Sequence, residues 1–176
     1  MKHITILTVL MLAVLCSSHA VHADEPAESS KAIAARRQQE TNDILETLFR
    51  YQIATNQVTE AKVYFLSVSL NAKGQDIFDS ARDPSIDFMK RFADLKTPVQ
   101  KASASTFSQA GWVVEKRNDQ RGVIFNSEKI KWISPTEVEV TGSFYAGMLY
   151  ARGYTFTVKK EKDKWSVTAA TETWMS

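Results

Sequence analysis

The sequence predicts an α+β fold: a long N-terminal helix and a short second helix packed on a curved antiparallel sheet. Three observations carry that expectation. Apolar residues between positions 31 and 57 recur at helical spacing, those from 63 to 70 and again beyond Pro98 alternate as strands do, and a proline-marked segment between them returns briefly to the helical period.

The chain has 176 residues and opens on Lys2, an apolar run from Ile4 to Leu15, and small-residue positions ending in Val21-His22-Ala23. That is the anatomy of a signal peptide over 1–23, and the run is shorter than the roughly 20 apolar residues a membrane span needs. The expected product is periplasmic or secreted, with no stable membrane anchor after cleavage. Removing 23 of 176 residues leaves 153, enough for one ordinary domain over 31–176 behind a disordered lead-in of 24–30.

All three histidines (His3, His19, His22) and the single cysteine (Cys16) fall inside that leader. The mature chain then lacks the commonest general base, transition-metal ligand and activated nucleophile, so neither a cofactor nor a metal is expected. A net charge of +2 also argues against nucleic acid, whose binders carry concentrated basic patches.

Between Lys31 and Gln57, Ile44, Leu45, Leu48, Phe49 and Gln52 form one stripe at i, i+1, i+4, i+5, i+8, which predicts a helix burying that face. Arg36 and Arg37 are read as its solvated side. In Val63–Leu70, the apolar alternates Tyr64, Leu66, Val68 and Leu70 predict a half-buried strand. A loop over 71–80 follows. The second helix is expected to start at Asp83-Pro84, with the carboxylate as N-cap, to bury Phe88, Phe92 and Leu95, and to stop at Pro98.

Beyond Pro98 the expectation is a meander. Trp112–Lys116 and Arg121–Ile133 are read as a hairpin around the polar turn 117–120. Ser134-Pro135-Thr136 turns into Glu137–Thr141, where valines alternate with acids as in a sheet with one wet face. The strand through Phe144 and Tyr145 is expected to turn near Arg152-Gly153, and Glu161-Lys162-Asp163 makes the last turn before Trp165, Val167 and Ala169. Lys129–Trp132 and Lys162–Trp165 echo one another, as two strands each opening with a wet lysine and a buried tryptophan would.

The chemistry readable from motifs is sparse. Asp76, Asp79 and Asp83 lack the spacing of a calcium loop. Glu137 and Glu139 share a face about 7 Å apart, but alternating valines put that face in water, where no carboxyl is tuned for acid catalysis. Aromatic residues are the remaining signal, and many of them would serve as core. Phe144, Tyr145, Met148, Tyr150 and Tyr154, with Trp132 and Trp165, are the residues expected to meet a partner, because the glycines at 142, 147 and 153 break the strand pattern there.

This order of elements resembles the cone-shaped fold of the NTF2-like and cystatin-like group. Lys129–Ser134 with Glu137–Val140 is also similar to stretches of uncharacterised exported bacterial proteins. The resemblance implies a curved sheet wrapped on its helices around a pocket. Enzymatic members of that group place an Asp, a His-Asp pair or a Tyr in the pocket. Here the inward strand positions (Val138, Val140, Phe144, Phe156, Val158, Trp165, Val167) carry no carboxylate. The expected function is therefore a non-catalytic exported binding module that holds a protein partner or a small apolar ligand. A narrower form is an immunity or inhibitor protein against a toxin or envelope enzyme, and the competing class is a carboxylate- or tyrosine-based enzyme with an NTF2-like pocket. The oligomeric state is left open.

Overall fold

The computed structural model describes residues 29–56, 58, 60–69 and 83–176. The leader, the lead-in before Ser29, the loop at 71–80 and the aspartates 76 and 79 lie outside them.

Helix α1 runs Ser30–Thr55, and its first turn is closed by the Ser29 side chain accepting from the Ala32 N–H. Its buried residues are Ile44, Leu45, Leu48, Phe49 and Gln52. These are the five of the sequence stripe. Strand β1 is Val63–Val68, and α2 is the short helix Ile86–Met89, continued by a 3-10 turn Lys90–Phe92. Then come β2 (Val99–Lys101), β3 (Ser105–Phe107), β4 (Val113–Glu115), β5 (Gly122–Ser134), β6 (Glu137–Gly147), β7 (Tyr150–Glu161) and β8 (Lys164–Met175).

Among the described residues, six strands form one curved, open sheet in the order β2-β1-β5-β6-β7-β8. The antiparallel meander β5 to β8 is as expected; the other end is not, because β1 pairs in parallel with both β2 and β5. That position corrects the reading of β1 as half-buried. Phe65, Leu66 and Ser67 are all fully buried, since α1 and α2 cover one face and the β3–β4 hairpin covers the other.

Three further expectations are corrected. Strand β4 forms its ladder with β3, and an isolated bridge links its Val114 to Arg121, the residue before β5, so the tight turn at 117–120 joins two separate sheets. The cap of α2 is Ser85, whose oxygen accepts from the Phe88 N–H; the Asp83 carboxylate instead accepts from the Ser103 N–H and hydroxyl. The β6–β7 reversal lies at Met148-Leu149, and Gly153 sits inside β7.

The core has three parts. Phe49 meets Phe88 and Phe92 edge-on at 6.2 and 6.4 Å, joining α1 to α2 over Leu66 and Phe125. Ile44 and Leu48 pack on Val138, Val140, Phe156 and Val158, the inward positions read from the sequence. Val63, Phe65, Val113 and Ile124 form the third part under the small hairpin. Ion pairs fix the helix on top: Arg50 bonds Glu46 and Asp94, Arg91 bonds Asp43 and Glu46, and Lys160 of β7 reaches Glu40 at 3.2 Å.

Candidate functional site

The end of the sheet where β6 reverses into β7 carries an apolar surface that the described residues leave exposed. Leu149 is 88% exposed and Met148 63%, at the reversal itself, and Tyr150 follows at 40%. Trp112 stands beside them at the entry to β4, and Trp174 with Met175 closes β8 nearby. Scattered apolar residues are ordinary on a protein surface, whereas six large ones gathered at one end are not.

Backbone bonds hold this tip in shape. The Met148 N–H donates to the Gly111 carbonyl at 2.7 Å, and the loop before β4 is closed by the Ser108 N–H donating to the Trp112 carbonyl and the Trp112 N–H donating to the Ser108 hydroxyl. Between the loop and the reversal lies a cavity of about 440 Å³, walled by Trp112, Met148, Leu149 and Tyr150. That volume lies within the range of small-molecule pockets.

Glycines let the indoles lie flat. A Cβ on Gly147 would come 2.9 Å from the Trp112 ring, and one on Gly153 would come 1.9 Å from Trp174 Nε1. Neither side chain fits without something moving. Trp174 also leans on Tyr145 at 5.9 Å, and the Arg121 guanidinium, paired with Glu60, covers the Trp112 ring at 3.9 Å. Below the tip Phe144, itself buried, meets Tyr150 edge-on at 5.7 Å.

The seven residues singled out in the sequence are not brought together. Met148 and Tyr150 stand on the tip, while Phe144 and Tyr145 support it from inside the sheet. Tyr154 lies at mid-sheet on Phe156, next to Arg152. Hydrogen bonding to Tyr154, with help from Glu172, raises the Arg152 guanidinium above its ordinary pKa. Trp132 and Trp165 stand at the opposite end of the sheet, roughly 30 Å away along β5, as an edge-on pair at 5.8 Å. Trp132 is 43% exposed, which corrects the expectation of a buried ring.

Sequence reading missed Leu149, Trp112, Trp174 and Met175 as members of the tip. The available signal was Gly147-Met148-Leu149-Tyr150, a hairpin reversal written in apolar residues. The valine alternation did place Glu137 and Glu139 on the face opposite the buried valines, where both are half-buried and Glu137 pairs with Lys159 at 3.1 Å. Among the described residues no group of His, Cys, Asp or Glu is arranged to hold a metal ion, and no helix is long and apolar enough to cross a membrane. No family model, curated protein or solved structure matches the chain.

Proposed function

We propose that the protein is an exported, non-catalytic binding module that holds a protein partner through the apolar tip at the β6–β7 reversal. The observation that carries this reading is the exposure of Met148 and Leu149 on a reversal whose backbone is fixed, so that binding would not have to order a loose loop. A side chain of this size is worth about 1.5–3 kcal/mol when removed from water. The two residues together amount to roughly a hundredfold or more in affinity.

Kinship with the NTF2-like and cystatin-like group is part of the same proposal. It is supported by one long helix lying across a curved, open sheet with a short helix beside it. Export rests on the leader pattern of residues 1–23.

The test uses the mature chain as immobilised bait against envelope extract, alongside a Met148→Ser/Leu149→Ser variant with an unchanged melting temperature. A protein retained by the parent and lost at least tenfold by the variant, then confirmed by calorimetry between purified components, is the expected result. Equal retention by both chains would overturn the assignment of the tip, and substrate turnover by the purified chain would overturn the non-catalytic reading.

A further inference from the structure

At the far end of the sheet from the tip, a groove of about 540 Å³ lies between the first turns of α1 and the β5–β6 turn. Arg36, Arg37, Glu40, Trp132, Ser134 and Pro135 line it. Its size suits a small molecule. Its chemistry is unlike that of the apolar tip.

The floor is held rigid by a chain of contacts. Trp132 meets Trp165 edge-on at 5.8 Å, the Lys160 ammonium lies 5.8 Å over the Trp165 ring, and the same ammonium is 3.2 Å from the Glu40 carboxylate. Ser134 secures the turn by accepting from the Thr136 N–H. Two consequences follow. Glu40, the acid among the described lining residues, is already neutralised by Lys160, so Arg37 leaves the groove positive. Trp132 is also held against Trp165 and stays 43% exposed where it lines the groove.

Arg37 is the second element. Arg50, Arg91, Arg117, Arg121 and Arg152 are each paired with a carboxylate, while Arg37 makes no hydrogen bond or ion pair among the described residues. A guanidinium presents a planar fork of donors that matches a carboxylate or phosphate. A tryptophan face takes another flat ring.

We propose that this groove binds a small molecule in which a planar ring carries an oxyanion, with Arg37 holding the anion and Trp132 stacking the ring. The shared chemistry is a ring joined to a carboxylate or a phosphate. The inference stands apart from the function assigned to the tip and uses none of its residues.

The test is calorimetric titration of the mature chain with four probes: adenosine monophosphate and 2-naphthoate, which have ring and charge, adenosine, which has the ring alone, and inorganic phosphate, which has the charge alone. Saturable binding of one or both ring anions is expected at millimolar concentration or below, with adenosine and phosphate at least tenfold weaker. Preference between the two ring anions tells a phosphate ligand from a carboxylate one. Arg37→Gln, a change at an exposed helix position, should weaken the favoured probe about tenfold, which is about 1.4 kcal/mol. Trp132→Leu should do the same, and Lys96→Gln, an exposed change outside the groove lining, should change nothing. Absence of saturable binding by both ring anions, saturable binding of adenosine as tight as that of its monophosphate, or indifference of the favoured probe to Arg37→Gln would each overturn the proposal.

Discussion

Replacing Gly153 by alanine puts a methyl group where the Trp174 indole lies. An ideal Cβ there would fall 1.9 Å from Nε1 and 2.3 Å from Cε2, against ordinary contact of about 3.5–4.0 Å. Strand β7 is paired on both sides, with β6 and β8, so its backbone has little freedom to retreat. The indole must lift instead, by roughly 1.5–2 Å. Trp174 is 39% exposed, and a tryptophan covers about 200 Å², so about 120 Å² of contact is at stake. At about 25 cal/mol/Å² that is about 3 kcal/mol, from which alanine recovers about 0.5–1 kcal/mol over glycine within a strand. A net loss of about 2 kcal/mol is expected in urea denaturation, with red-shifted tryptophan emission. In a Trp174→Ala background the same substitution should cost nothing or stabilise. If Gly153→Ala costs the same in both backgrounds, or leaves stability and emission unchanged, the close approach of indole and glycine is refuted.

Two other predictions concern the helix side of the fold. The Arg50 hydrogen bond holds the Asp94 carboxyl below its ordinary value of 3.8. A carboxyl lowered in the folded state adds stability above its unfolded pKa and loses it as pH falls through the lower folded value. Asp94→Asn should therefore flatten the fall in stability below about pH 4 without altering its slope near neutrality; an unchanged acid limb in pH-resolved denaturation would contradict the pairing. Gln52 is fully buried, its amide nitrogen donates to the Ser143 carbonyl at a long 3.4 Å, and its Oε1 accepts from no donor among the described residues. Gln52→Met removes that unsatisfied oxygen, worth about 1–3 kcal/mol, in exchange for one weak bond, so the urea midpoint should hold or rise; a loss of 3 kcal/mol or more would show that the amide is needed.

The parts of the fold legible in the sequence were those set by local spacing. The stripe from Ile44 to Gln52 names the buried face of α1 because a helix shows the same face every 3.6 residues. Alternation in β6 and β7 gives the inward valines for the equivalent reason at period 2. Strands β2 and β3 escaped because three residues are too few to show a period. The parallel pairing of β1 with β5 escaped because its partner is more than fifty residues away and no turn announces it. Gly153 misled in another way: glycine is the usual mark of a turn, and here it is used for the close approach of Trp174.

The misread turn also bears on the tip. At the β7–β8 reversal Lys162 and Asp163 both adopt positive φ, 46° and 62°, the geometry that suits the twist of a two-residue hairpin. The β6–β7 reversal is equally short, Gly147 pairing with Tyr150, yet neither Met148 nor Leu149 has positive φ, and the ladder is shifted between Tyr145 and Gly147 to make the bend. The sequence there forgoes favourable turn residues and leaves two apolar side chains in water. Both choices work against folding, and departures of that kind gather where a surface has another use. Replacing Met148-Leu149 by Asn-Gly should accordingly stabilise the chain, by about 0.5–2 kcal/mol in thermal denaturation, while reducing capture of the partner at least tenfold. If the Asn-Gly chain is less stable than the parent, the reversal is shaped by folding and not by binding. If it is more stable and still captures the partner, the apolar pair is not the contact surface.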